Sequence, residues 1–230
     1  MKKIHLLFSL MLLTMYSTGQ LTVSLPNITA LTGQTVEFPV YLSGAGTSGT
    51  PISSANVQIS YDPAVLQYDT LSNFYSAMPV SQWFFSGNNN MVSANWLEPS
   101  LLTLAIPDST VLFVIRFTYL GGNQILPFLV TEFTDATFEF IPTTAFNGSI
   151  GMVMPSLSGP VAVCQGTTGN VYSTQGGFTD YQWNVSGGLI TTGGGLSDST
   201  VTVTWNSYGT KNVSVSFSGS DTAVMNVSVE

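Results

Sequence analysis

The chain has 230 residues, 44% of them hydrophobic and only 7% charged, with four basic residues, twelve acidic residues and a single histidine. Lys2, Lys3 and His5 all fall near the N-terminus, which leaves Arg116 and Lys211 as the basic side chains of everything beyond residue 19, with no histidine there. Nucleic acid and anionic membranes are therefore poor partners, because counterion release needs clustered Lys and Arg, and any catalysis would have to run on carboxylates, hydroxyls and backbone groups.

In chain order, the pair Lys2-Lys3, the apolar stretch Ile4 to Tyr16 and the small residues Ser17 and Gly19 before Gln20 read as a signal peptide over residues 1–19. The stretch is too short to span a bilayer, which takes about 20 apolar residues. The remainder is expected outside the cell, secreted or at the cell surface. Val36, Phe38, Val40 and Leu42 alternate with other residues as a half-buried strand does. The run from Ser54 to Tyr61 does the same, with Ala55, Val57, Ile59 and Tyr61 on one face and Ser54, Asn56, Gln58 and Ser60 on the other. Asp62-Pro63 then reads as a cap on a short turn, Asp taking backbone N–H groups and Pro occupying the first turn position. Val111 to Leu120 is apolar enough to be buried on both faces, and Gly44–Pro51, Gly87–Asn90 and Gly121–Asn123 supply turn chemistry between strands.

Near Gly151–Ser156 the composition shifts, with a proline and small residues marking a linker. We therefore expect one domain over 20–153 and a second over 154–230. In the second, Tyr181–Val185, Thr200–Trp205 and Asn212–Phe217 alternate strictly, and the segment has the length of a compact sandwich of about seven strands. No helical period is convincing anywhere in the mature chain. The fold class expected from these patterns is all-β, a sandwich or jelly roll followed by a second compact sandwich.

Several motifs dissolve in context. Gly44-Ala-Gly46-Thr-Ser-Gly49 matches a dinucleotide fingerprint, but an alternating strand follows where a helix is required. Gly193-Gly194-Gly195 reads as a turn. Cys164 has no second cysteine to pair with, so no internal disulfide forms, and it is expected either as a buried small hydrophobe or as a thiol that meets a partner in another chain. Glu132, Asp135 and Glu139 are close in sequence and Glu98 follows Trp96, but on extended chain these carboxylates scatter rather than converge, as glycoside hydrolysis at a separation of about 5–10 Å demands. No calcium loop pattern occurs. No catalytic residue, metal ligand or cofactor is assigned. Five Asn-x-Ser/Thr sequences, at Asn27, Asn147, Asn184, Asn212 and Asn226, follow from a composition rich in those residues, while Asp69-Thr70, Asp108-Ser109, Asp198-Ser199 and Asp221-Thr222 resemble a bacterial O-glycosylation pattern. Trp183 and Trp205 sit on inner positions of their alternations. Trp83, before an Asn-rich turn, and Trp96, beside Asn95, are left between packing in the core and stacking on sugar rings from an exposed position.

The ordered set of a Gly33-Gln-Thr-Val36 strand entry, Tyr61-Asp62-Pro63 with Val65-Leu66, Val111-Leu112-Phe113 leading to Arg116-Phe117, and a closing Asn147-Gly148-Ser149-Ile150 resembles a cohesin module, over about Leu21 to Val153. Cohesins are jelly rolls, related in fold to carbohydrate-binding modules, that hold dockerins in cellulosome-like assemblies. The resemblance implies contact through a flat sheet face, with Ser54, Asn56 and Gln58 offered by one strand and Asn95 and Glu98 by a neighbour. Cys164-Gln-Gly166, Tyr172, Tyr181-x-Trp183, Gly188, Val203-x-Trp205 and Gly209 resemble the PKD-like immunoglobulin-type repeats of large bacterial surface proteins. That resemblance also leads one to expect a C-terminal sorting module, and its absence before Glu230 reads as truncation. The combined expectation is a secreted, non-catalytic binding or adhesion module. A protein module of dockerin type or a polysaccharide is its partner, and the second domain is a spacer. The alternatives are a purely structural adhesin segment and a carboxylate-dependent glycoside hydrolase.

Overall fold

In the computed structural model, residues 20–44, 50–88, 90–100 and 103–230 are described. Residues 1–19, for which a signal peptide is expected, and the Ala45–Gly49 part of the glycine-rich loop lie outside them. The described chain is built of strands, with one short 3-10 turn at Val80–Gln82. No helix among the described residues is long and apolar enough to cross a membrane.

The first part packs a five-stranded sheet against a four-stranded one. The five-stranded sheet has the spatial order Thr143–Phe146, Leu21–Ser24, Thr35–Ser43, Thr110–Tyr119, Leu66–Ser72. The four-stranded sheet runs Phe128–Thr134, Ser54–Ser60, Met91–Leu97, Trp83–Asn88. A three-stranded sheet of Gln124–Leu126, Gly148–Met152 and Asn27–Ala30 and a two-stranded ribbon of Thr50–Ile52 with Leu104–Ile106 close the ends. Period-two alternation drives the arrangement. Val36, Phe38, Val40 and Leu42 from one sheet face Ala55, Val57, Ile59, Val92, Ala94 and Trp96 from the other, all of them buried. Full burial of each larger side chain contributes about 1.5–3 kcal/mol. Phe117 sits at the centre, taking edge-on contacts from Phe38, Tyr61 and Tyr68 at centroid distances of 6.0, 5.0 and 6.1 Å.

The expected double burial of Val111–Leu120 holds over part of its length. Leu112, Phe113, Val114 and Ile115 are buried in succession, while Arg116 and Leu120 are exposed. A register shift between Val111 and Phe113 accounts for the break in alternation, since a bulge turns consecutive side chains to the same side. Asp62 caps as expected: its Oδ1 accepts the Ala64 N–H at 2.8 Å, and its carbonyl accepts the N–H groups of Val65 and Leu66.

The second part is a seven-stranded sandwich. One sheet runs Ala162–Val163, Ala223–Val229, Gly209–Ser216, Gln182–Ser186, and the other Asn170–Ser173, Thr200–Trp205, Gly188–Gly193. Val201, Val203 and Trp205 of one sheet meet Val213, Val227 and Val229 of the other. The buried Trp205 indole donates to the Tyr172 hydroxyl at 3.2 Å, which in turn donates to the Pro160 carbonyl at 3.0 Å. Trp183 is half-buried, its indole donating to the Asp198 carbonyl at 2.8 Å. Cys164 is exposed, which corrects the buried alternative. It lies one residue beyond the two-residue strand Ala162–Val163, at the start of a turn closed by Thr167 N–H on its carbonyl, and there the chain turns away from the core.

Candidate partner-binding face

The outer surface of the four-stranded sheet gathers the residues that the alternation points outward. Ser54–Ser60 is a central strand, flanked by Met91–Leu97 and Phe128–Thr134. Its buried Ala55, Val57 and Ile59 fix which face Ser54, Asn56, Gln58 and Ser60 present, because a slip by one residue would expose all three apolar side chains. The registers then align rows across the sheet. Glu132 stands beside Asn56, Asn56 beside Asn95, and Asn95 beside Phe84. The next row is Val130, Gln58, Ser93 and Ser86. Thr134, Ser54 and Leu97 form a third row.

Lateral hydrogen bonds organise these side chains. Asn56 Nδ2 donates to Glu132 Oε2 at 2.9 Å, Gln58 Nε2 to Asn56 Oδ1 at 3.5 Å, and Asn95 Nδ2 to Ser93 Oγ at 3.1 Å. Ser54 and Thr134 share a hydroxyl contact of 2.6 Å, backed by the buried Ser53, whose Oγ lies 2.9 Å from the same Thr134 hydroxyl. Glu132 is the one formally charged side chain among the outward positions of these strands. Beyond the edge, Asp135 closes the turn after Thr134. Its Oδ1 accepts from the Thr137 hydroxyl at 2.7 Å, the Thr137 N–H at 2.8 Å and the Glu139 N–H at 3.1 Å. These bonds, the Thr137 hydroxyl foremost, hold its carboxyl below the usual carboxylate range.

Two of the sequence candidates are placed elsewhere. Trp83 and Trp96 stand opposite each other across the strand pair with both indoles turned inward, 5% and 2% exposed. Trp83 Nε1 donates to the Met78 carbonyl at 2.9 Å, Trp96 Nε1 to Gln82 Oε1 at 3.0 Å, and the Trp83 ring meets Phe113 edge-on at 5.2 Å. With its one donor satisfied inside, neither indole presents a face to a sugar ring, which corrects the stacking alternative. Glu98 follows the last outward residue of its strand, Leu97, so it falls on the opposite parity to Asn95. Its Oε1 accepts from the Ser100 hydroxyl at 2.7 Å, and it does not join the rows.

Sequence reasoning missed Phe84. It is 76% exposed and stands in the row of Asn95, Asn56 and Glu132. Leu97, 44% exposed, lies on the same face. The signal was available: with Trp83 turned inward, alternation forces Phe84 outward.

The face therefore belongs to a jelly roll in which the outer side of one sheet is mostly polar and carries the exposed apolar side chains Phe84 and Leu97. A cohesin domain model matches residues 21–150, more than half of the chain. The chain belongs to the cohesin family. A PKD-like domain model matches residues 152–227. Solved cohesins share the fold at low identity. The cohesin of a Coh-OlpA–Doc918 complex from Clostridium thermocellum aligns over 58% of this chain and 99% of its own, with 18% identity and a TM-score of 0.52. The third ScaC cohesin of Acetivibrio cellulolyticus, solved with the ScaB dockerin, aligns over 57% and 98%, with 16% identity and a TM-score of 0.51. CaCohA2 from Clostridium acetobutylicum aligns over 58% and 91%, with 18% identity and a TM-score of 0.50. No curated protein matches the sequence.

Proposed function

We propose that this cohesin is a secreted, non-catalytic binding module that docks a helical protein module of dockerin type on the outer face of its four-stranded sheet. In this reading residues 20–153 form the binding domain and 154–230 a PKD-like spacer, once a leader over 1–19 is removed. The observation that carries the reading is the row Glu132, Asn56, Asn95 and Phe84, in which hydrogen-bonding groups and an exposed aromatic lie side by side on one sheet face. Four strands at about 4.8 Å spacing make a strip roughly 14 Å across, and a helix with its side chains is about 10–12 Å wide. Buried aromatics dominate binding energy where their neighbours exclude water, which gives Phe84 the anchoring role and Asn56, Gln58, Asn95 and Ser54 the positioning role. A polysaccharide is the weaker reading, because both of the tryptophans nominated to stack on it are buried.

Titration calorimetry with a panel of dockerin-type modules and soluble polysaccharides tests this, comparing the wild type with Asn56→Ala/Gln58→Ala. Losing two hydrogen bonds worth about 0.5–1.5 kcal/mol each should weaken a protein partner about fivefold or more. Binding of no module by the wild type, or equal binding by the double variant, would refute the reading. Binding of polysaccharide alone would replace it with the glycan reading.

A further inference from the structure

The two sandwiches meet through more than a connecting segment. From the first comes the turn Leu31–Gln34, fixed to its own body. The Gly33 N–H donates to the Tyr119 carbonyl at 2.7 Å, the Gln34 carbonyl accepts the Tyr119 N–H at 2.9 Å, and Gln34 Oε1 accepts the Leu31 N–H at 2.9 Å. From the second comes the turn Phe217–Asp221, equally fixed. The Ser220 hydroxyl both accepts the Phe217 N–H and donates to the Phe217 carbonyl, each at 2.9 Å, and the Ser218 N–H donates to the Thr179 carbonyl at 3.1 Å. The turns touch directly, the Thr32 N–H donating to the Gly219 carbonyl at 3.3 Å. Gly219 is required there twice over. Its φ is +74°, and a Cβ on it would lie 2.6 Å from the Thr32 backbone nitrogen.

Apolar packing continues across the boundary. Leu31 and Val153 join Leu157, Phe178, Tyr181, Val215 and Phe217 in one cluster, with the Phe178 and Phe217 rings stacked at 4.1 Å. The connecting residues are bound on both sides as well. Val153 donates to the Ala30 carbonyl at 3.2 Å and accepts from the Asp221 N–H at 3.0 Å. Pro155 is buried, and Gln175 bridges the residues on either side of it, with Oε1 accepting the Ser156 N–H at 2.7 Å and Nε2 donating to the Met154 carbonyl at 3.4 Å. A tether would leave such backbone groups to water.

We infer that the cohesin and PKD-like sandwiches move as one rigid body, latched by the Leu31–Gln34 turn, the Phe217–Asp221 turn and Val153 between them. The second sandwich is then an arm that fixes the direction in which the first presents its outer sheet face. This rests on the junction contacts alone and stands whether or not a dockerin-type partner is found.

Residual dipolar couplings of the full chain test it. One alignment tensor should fit amides of both sandwiches in the wild type. Separate tensors should be needed for Leu31→Asp, which puts a charge into the shared cluster, and for Gly219→Ala, whose added Cβ would meet the Thr32 backbone nitrogen at 2.6 Å. Gly219→Ala removes no core side chain and decides the matter if Leu31→Asp damages one of the cores. Two tensors in the wild type, or a single tensor retained in Gly219→Ala together with every folded Leu31 variant, would overturn the inference.

Discussion

Each half of the molecule turns one four-stranded sheet outward, and the two faces look alike in sequence but differ in substance. In the second half, Gln182 stands opposite Ser216, Asn184 opposite Ser214, and Asn212 opposite both Ser186 and Asn226. Three of the Asn-x-Ser sequences are thereby laid on one face of neutral amides and hydroxyls, with Val224 as its exposed large apolar residue. In the first half, the same kind of alternation carries a carboxylate, Glu132, and two exposed apolar side chains, Phe84 and Leu97. Polar alternation therefore marks a solvated strand and nothing more. A candidate site is marked by large apolar groups left in water among groups that can hydrogen-bond, since desolvating them is what drives association.

The comparison can be broken in several ways, the largest effect coming from the core beneath each face. Trp96→Ala and Trp205→Ala should each destabilise their own sandwich by about 3–5 kcal/mol in denaturant titration, as expected for a buried indole. If Trp96→Ala left stability untouched but abolished binding, Trp96 would belong to the face and not to the core. Phe84→Ala should reverse that pattern, weakening the partner by about 2 kcal/mol or more with stability changed by less than about 0.5 kcal/mol. An equal loss of both would mean that Phe84 is a packing residue. Next in size, Asn56→Ala/Gln58→Ala should weaken binding while Asn184→Ala/Asn212→Ala, the matching change on the second face, leaves the affinity unaltered. Weakening by both pairs would erase the distinction drawn between the faces.

The smallest effect concerns the turn at the edge of the first face. Because bonds from Thr137 and Glu139 lower the folded carboxyl of Asp135 below its ordinary 3.8, its contribution is fully present above that value and is lost as pH falls through the lower, folded one. An NMR titration of the Asp135 carboxyl carbon should show a midpoint under 3.8, and Asp135→Asn should flatten the stability curve in that acid window. A midpoint at or above the ordinary value would remove the cap from the account.

What the sequence disclosed were the features that local periodicity encodes. Ser54–Tyr61, Val36–Leu42, Thr200–Trp205 and Asn212–Phe217 all put the expected side chains inside, because a strand's two faces are set by residue parity alone. Asp62-Pro63 was legible because its cap is made within a few residues. The placements of Trp83, Trp96 and Cys164 turn on tertiary facts, whereas those of Glu98 and Phe84 follow from parity. Whether Trp83 and Trp96 face in or out depends on their pairing across two strands and on acceptors supplied by Met78 and Gln82, none of which periodicity states. Cys164 is exposed because a strand ends at Val163, one residue before it, and strand ends are set by partners on another strand. Glu98 was grouped with Asn95 by nearness in sequence, although an odd separation puts the two on opposite parities. Phe84 and Trp83 are adjacent rings of opposite parity, and residue type alone does not say which of the two faces outward.

The most direct test of the central claim is a map of amide perturbations on titrating a bound dockerin-type module into the labelled protein. The account predicts changes clustered at Asn56, Gln58, Phe84, Asn95 and Glu132, with the outer sheet of residues 182–228 silent. Perturbations centred on that second sheet, or on the five-stranded sheet behind the first, would contradict it.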